Sequence, residues 1–213
     1  MGISTHILDT ALGRPAVGVP VTLAFMRANP FGILVSTMDG IPFATHLPFL
    51  VDEVGDQIVV RGHMARANPH WKSMKEGEES LVIFHGPHAY ISPSLYENRE
   101  SVPTWNYAAV HVYGEPTLFS DEEGLKETLH RMINTFESSY MTQWSGLGEQ
   151  YQSRMMKHIV GFKIKAKRLE AKFKLSQNRT KGEQARVIQS LNQSQDSNIS
   201  AVAELMQQEG LGR

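Results

Sequence analysis

Asp39-Gly40 stands between two apolar, β-rich runs, residues 31–37 and 41–51, and this pairing constrains the fold more than any other feature. Asp-Gly tolerates the positive φ angles of a two-residue hairpin turn. The chain is therefore expected to build an antiparallel sheet from its first strands onward. The same signals predict further strands at residues 57–64, at 81–84 resumed by 89–91, at 104–117 and at 159–164, with 173–176 extending that edge. A sheet of about six short strands usually closes into a barrel, because closure removes its edges. Helices are expected at 21–29, ending before Pro30, and from the Asn68 cap with Pro69 at its first position to Gly77. Another opens at a Ser120–Glu123 capping box and keeps Leu125, Leu129, Met132, Ile133 and Phe136 at helical period, and one more covers about 148–158. The fold class is α+β, mainly antiparallel β.

The 213 residues suffice for one barrel domain with a helical appendage. Three segments are expected: an atypical lead at 1–23, broken by Gly13, Pro15, Gly18 and Pro20; a barrel domain at 24–178; and a polar extension at 179–213. The extension is rich in Gln, Ser and Asn, with apolar patches at Val187, Ile188, Leu191 and at Val202, Leu205, Met206. It reads as short helices or as a mobile tail.

Several function classes are excluded by what the chain lacks. It has no cysteine, so disulfides, thiolate metal sites and a cysteine nucleophile are out. The formal net charge is -1, which gives no general basic surface for tracking phosphates. The one basic run, Lys163, Lys165, Lys167, Arg168, Lys172 and Lys174, alternates like the solvent face of a strand. No apolar stretch approaches the ~18–20 residues that span a bilayer. No basic region followed by an apolar core opens the chain, so a cytoplasmic protein without membrane partners is expected. Dinucleotide, Walker, serine-elbow and zincin motifs are missing, and no acid/base pair stands out as catalytic.

Five segments carry candidate chemistry. In Gly62-His63-Met64-Ala65-Arg66-Ala67-Asn68-Pro69-His70-Trp71, an arginine precedes a capped helix start, an arrangement suited to a phosphate, with His63 as a further donor. Arg66 reads equally as a solvated loop residue. In Ala44-Thr45-His46-Leu47, a hydroxyl and an imidazole sit on an expected core strand; they bond a ligand there, or His46 is a satisfied core histidine. In the segment from Phe84 to Pro93, Ser92 is a candidate ligand contact, whereas His85 and His88, three apart on a strand, are expected on opposite faces and give no metal site. Thr104, Trp105 and Asn106 suit the face and polar edge of a flat heteroaromatic ligand, or a barrel seam. Residues 172–179, with Gln177, offer amides and cations that close over a ligand from a partner subunit or form a surface edge.

These motifs resemble the PaiB-like, FMN-binding negative transcriptional regulators. The matching stretches are Pro42-Phe43-Ala44-Thr45-His46-Leu47-Pro48, Gly62 to Pro69, Phe84-His85-Gly86-Pro87-His88-Ala89-Tyr90-Ile91-Ser92-Pro93, Val102-Pro103-Thr104-Trp105-Asn106-Tyr107-Ala108-Ala109-Val110-His111 and Lys174-Leu175-Ser176-Gln177-Asn178-Arg179. They lie within residues 24–192. The resemblance implies an FMN-binding split β-barrel with peripheral helices, a homodimer with FMN at its interface, and a role in repressing degradative-enzyme and sporulation genes. The cofactor contacts it points to are Thr45, His46, His63, Arg66, Asn68, Ser92, Thr104, Trp105, Asn106 and Gln177. Residues 2–23 are instead similar to the start of the 5-hydroxyisourate hydrolases, transthyretin-related enzymes, in which the position of His6 is catalytic. The Tyr-Arg-Gly-Ser that ends that family is missing from this chain.

Three functions compete. The first is an FMN-binding regulatory module whose occupancy biases a surface read by DNA or a protein partner. The second is a flavin-dependent oxidoreductase or flavin reductase, in which the cofactor carries the chemistry. Steady NAD(P)H consumption with FMN present separates it from the first. The third is hydroxyisourate hydrolysis, which requires substrate decay abolished by His6→Ala.

Overall fold

The computed structural model describes residues 4–7 and 19–212. The resemblance of 2–23 to a hydrolase therefore falls largely outside the described residues. After a short strand β1 (Ser4–Ile7) come helix α1 (Val19–Ala28) and the hairpin β2 (Phe31–Met38) and β3 (Ile41–Pro48). Then follow β4 (Leu50–Val54), β5 (Gln57–Ala65), β6 (Ser80–Ile91) and β7 (Thr104–Phe119). Three helices, α2 (Glu122–Phe136), α3 (Tyr140–Gly146) and α4 (Glu149–Met156), precede β8 (Ile159–Lys174). The chain ends in α5 (Lys181–Asn192) and α6 (Ser197–Gln208). The hairpin forms as read: Asp39 and Gly40 have φ of 54° and 79°, and β2 pairs with β3 in full register from Met38–Ile41 to Phe31–Pro48.

The sheet runs in the order β3-β2-β6-β7-β8-β5-β4, with β1 added beside β8. The ladders with a described register are antiparallel. The expected closure is not completed by hydrogen bonds, since no described ladder joins β3 to β4. These two end strands are nonetheless consecutive in the chain, separated by Phe49 alone. Residues 41–51, read as one strand, are thus two. Phe49 is 1% exposed, and its burial is what turns the chain from one edge of the sheet to the other.

Other differences have local causes. The helix expected from Pro69 to Gly77 is one 3₁₀ segment, Pro69–Ser73. The polar residues after Lys75 offer no apolar face to carry it further. Ser120 is not the cap of α2. Asp121 accepts from the Gly124 amide at 2.7 Å instead, placing the cap one residue later and leaving the Ser120–Glu123 box unused. The strand signals at 159–164 and at 173–174 belong to a single 16-residue strand, which ends at Lys174, so Leu175 and Ser176 are not part of the expected extension. The charged stretch between them is strand as well, its Lys and Arg facing outward while Ile164, Ala166, Leu169 and Ala171 are buried. The extension is helical: α5 starts at a Thr180–Glu183 capping box, and Val187, Leu191, Val202 and Met206 are buried.

The chain divides into two compact units. The first takes in Leu23–Phe84 and His111–Leu169. Its core centres on Phe49, whose ring meets Phe84 and Phe162 edge-on at 5.6 and 6.1 Å. Full burial of each such ring is worth about 1.5–3 kcal/mol. Gly114 allows β7 and β8 to meet closely, since a Cβ there would stand 2.0 Å from the Lys165 carbonyl oxygen. The second unit takes in His85–Val110 and Glu170–Arg213. Its core includes Ile91, Phe173, Leu175 and the inner faces of α5 and α6. Asn198 at the start of α6 completes it: its side chain accepts from the His88 amide at 3.3 Å and donates to the His88 carbonyl at 2.7 Å.

Candidate functional site

The ten sequence-derived candidates fall into separate groups. In the first unit, Thr45 and Asn68 meet. Asn68 caps the 3₁₀ segment by accepting from the His70 amide at 3.0 Å, and its Nδ2 donates to Thr45 Oγ1 at 3.2 Å. Thr45 Oγ1 also bonds His70 Nδ1 at 2.8 Å. His70, not singled out in the sequence, is the hub of this network. It is 0% exposed, lies edge-on to Phe43 at 5.1 Å, and leaves Nε2 buried without a partner. Burial pushes its imidazole down to about 4, so the ring is neutral at physiological pH. The signal that could have found it is its position two residues after a capping asparagine, where the cap orders the backbone around the ring.

The remaining candidates of this unit are placed apart from the network. His46 is exposed on β3, which is an edge strand and not the expected core strand; its ring stacks on Phe31 at 6.3 Å. His63 is half-buried on β5 with Nδ1 unpartnered, and burial lowers its pKa. Arg66 is exposed yet heavily engaged. Its Nε donates to the Lys157 carbonyl at 3.0 Å, and its Nη2 donates to the Ile159 carbonyl at 3.1 Å and to Ser120 Oγ at 3.3 Å. Arg66 also borders a cavity of about 300 Å³ that Ser120, Ser153 and Lys157 line as well.

In the second unit, Thr104, Asn106 and Gln177 come together around a cavity of about 270 Å³, with Tyr96, Lys174, Ser176 and Arg179. Asn106 is 0% exposed and held by Ser176. Lys174 Nζ donates to Thr104 Oγ1, and the Arg179 guanidinium lies 3.6 Å over the Tyr96 ring. Gln177 folds back on its own turn, accepting from the Leu175 amide at 2.8 Å and donating to the Phe173 carbonyl. Ser176 makes this turn possible by adopting φ of 64°. Tyr96 was not anticipated: it sits in a polar loop whose sequence gives no sign of which ring turns inward.

Ser92 and Trp105 stand elsewhere. Ser92 caps the 3₁₀ turn Pro93–Leu95 through the Ser94 amide at 3.2 Å. Trp105 alternates to the other face of β7 from Thr104 and Asn106, is 52% exposed, and lies 6.0 Å from both His88 and Tyr90. His85 joins the same patch, its ring centre 5.0 Å from that of His88, and so the expectation of opposite faces is corrected. The burial pattern explains why. It is inward at 80, 82, 84 and 86, and inward again at 89 and 91. One extra residue at Gly86-Pro87 shifts the phase, as a β-bulge does, and proline is tolerated at such a point.

The model of the family described as "Putative FMN-binding domain" matches residues 18–168. The chain belongs to this FMN-binding family. Among its relatives, protease synthase and sporulation protein PAI 2 of Bacillus subtilis (strain 168) is 42% identical over 185 residues, 86% of this chain and 88% of that protein. YKL070W of Saccharomyces cerevisiae is 32% identical over 132 residues, 57% of this chain and 76% of that protein. The family is thus the PaiB-like one that the motifs resemble. Two solved structures share the fold: flavocytochrome Anf3 from Azotobacter vinelandii, with TM-score 0.58 and 18% identity over 73% of this chain and 67% of that one, and the FAD and heme binding protein from Mycobacterium smegmatis, with TM-score 0.56 and 13% identity over 74% and 71%. The family's fold is the flavin-binding split barrel, mainly antiparallel with peripheral helices. Among the described residues, no helix is long and apolar enough to cross a membrane.

Proposed function

We propose that this protein is an FMN-binding regulator that acts in the cytoplasm as a homodimer. The observation that supports it most is the convergence of two distant family motifs, residues 102–106 and 174–179, on the cavity of about 270 Å³. Its donor set fits a phosphorylated flavin. Lys174 and Arg179 supply fixed positive charge that favours an anionic cofactor, and Thr104, Ser176 and Gln177 supply the hydroxyl and amide groups that a polyol chain requires. Bound FMN would supply a redox-active tricyclic ring, which these residues hold and orient. The cavity is just below the size usual for ligand pockets, roughly 300–1,000 Å³, so part of the cofactor would lie outside it, where a second copy covers it. Thr45, His46, His63, Arg66 and Asn68 of the first unit, with Ser92 and Trp105, are the further contacts we assign, from either copy.

The regulatory part of this reading draws on the Bacillus subtilis relative, whose name links it to protease synthesis and sporulation. Occupancy by FMN would then bias a surface read by DNA or by a protein partner. The charges on the outer face of β8 favour a protein partner. Lys167 is paired with Glu115, Lys163 lies over the Phe119 ring and Lys172 over that of Tyr107, so this face is not a bare cationic track. The test is the absorbance spectrum of the protein after incubation with FMN and desalting, with molar mass measured in parallel. Retained flavin at one per subunit in a dimer is expected. A colourless monomer overturns the proposal.

A further inference from the structure

The bulge in β6 creates an arrangement that flavin binding does not need. His85 and His88 are both exposed, project to the same side and have ring centres 5.0 Å apart. We propose that this pair forms a surface site for a borderline transition-metal dication of the Zn²⁺, Ni²⁺ or Cu²⁺ class.

The argument begins with ligand chemistry. Neutral imidazole is the side chain best suited to these ions, and thiolates are absent from this chain. A metal–nitrogen bond of about 2.0–2.1 Å puts the ion roughly 3.2 Å from each ring centre. Two rings at that distance whose centres are 5.0 Å apart subtend about 100° at the ion, near the tetrahedral angle. The backbone beneath the pair is held in place. Asn198 bonds both the amide and the carbonyl of His88, and Pro87 fixes φ between the two ligands. The spacing of the rings thus suits one ion, and little backbone ordering entropy remains to be lost on binding. Among the described residues no group of three His, Cys, Asp or Glu side chains is placed to hold a metal, so the protein contributes two ligands and solvent fills the other positions. Such a site is open and exchangeable, unlike a closed structural zinc site.

Trp105 provides the readout, its ring 6.0 Å from that of His88. Cu²⁺ titrated into the metal-stripped full chain is expected to quench Trp105 fluorescence in a saturable phase at one ion per chain. Trp105→Phe should remove that phase from the emission while calorimetry still detects the bound ion. His85→Asn or His88→Asn should each weaken binding at least tenfold, and the double variant should abolish the saturable phase. Because both rings are exposed, these variants are expected to melt like the parent, and His85→Gln with His88→Gln serves as a second pair should either asparagine variant misfold. A double variant that titrates like the parent, or a parent without stoichiometric binding, overturns the proposal.

Discussion

Asn106 and Ser176 hydrogen-bond each other in both directions, Asn106 Nδ2 donating to Ser176 Oγ at 3.0 Å and Ser176 Oγ donating to Asn106 Oδ1 at 3.1 Å. The pair joins two motifs seventy residues apart and forms the buried wall of the proposed flavin cavity. Asn106→Ala would leave the Ser176 hydroxyl without its buried partner. The expected loss is about 1–3 kcal/mol of stability in urea denaturation, together with weaker FMN binding. Full FMN affinity in a destabilised variant would separate the structural role from the ligand-binding one.

Arg66 combines a fixed charge with a clamp on two carbonyls, and the two contributions can be separated. Arg66→Ala is expected to weaken FMN binding by about 1.5–3 kcal/mol, through loss of a charge-assisted phosphate contact. Arg66→Lys keeps the charge but cannot reach the Lys157 and Ile159 carbonyls as a fork does, so it should recover only part of that loss. Flavin fluorescence titration measures both, and unchanged affinity in the alanine variant would place the phosphate elsewhere.

His70 makes stability depend on pH. Its folded pKa of about 4 lies below the ordinary 6.5, so between these values the unfolded chain binds the extra proton. Stability from this group is therefore complete above about pH 6.5 and declines as pH falls toward 4, by up to about 3 kcal/mol. Burial lowers His63 too, which adds to the decline in the same direction. Replacing His70 by Asn should flatten the slope of unfolding free energy between pH 6.5 and 4 relative to the parent. Parallel slopes in the two proteins would remove His70 as the cause.

Gly114→Ala would drive a methyl group into the Lys165 carbonyl of the neighbouring strand. Backbone must move to relieve this contact, so a loss of about 3–5 kcal/mol or failure to fold is expected, as judged by thermal melting. A variant that melts within a few degrees of the parent would mean that β7 and β8 separate more easily than their contact implies.

Local chemistry made part of this fold legible. Asp39-Gly40 announced its hairpin because the turn depends on two residues alone, and the alternating Lys and Arg of β8 announced an outer face. Features decided by distant packing could not be read. Ser120 and Asp121 are equally good caps on paper, and only the way β7 enters α2 selects the second. On a strand without a bulge His85 and His88 fall on opposite faces, and nothing local to Gly86-Pro87 announces the bulge. The tail at 179–213 reads as short helices or mobile chain, because its few apolar residues have value only against the rest of their unit. For the site, the motifs located the segments, but which side chains meet was decided by tertiary structure: Thr104 and Asn106 share a cavity, while Trp105 between them turns away.

The edge formed by β3 carries Pro42 and Pro48, paired with Thr37 and Phe31 of β2. Their ring nitrogens cannot serve the β2 ladder, so they belong to the outward side of the strand, which retains amides only at Ala44 and His46. An incoming strand would find the first and last of the four outward amide positions missing. Growth of the sheet from one molecule into the next is thereby discouraged, and this chain can hold an incompletely sealed barrel without becoming a template for fibres.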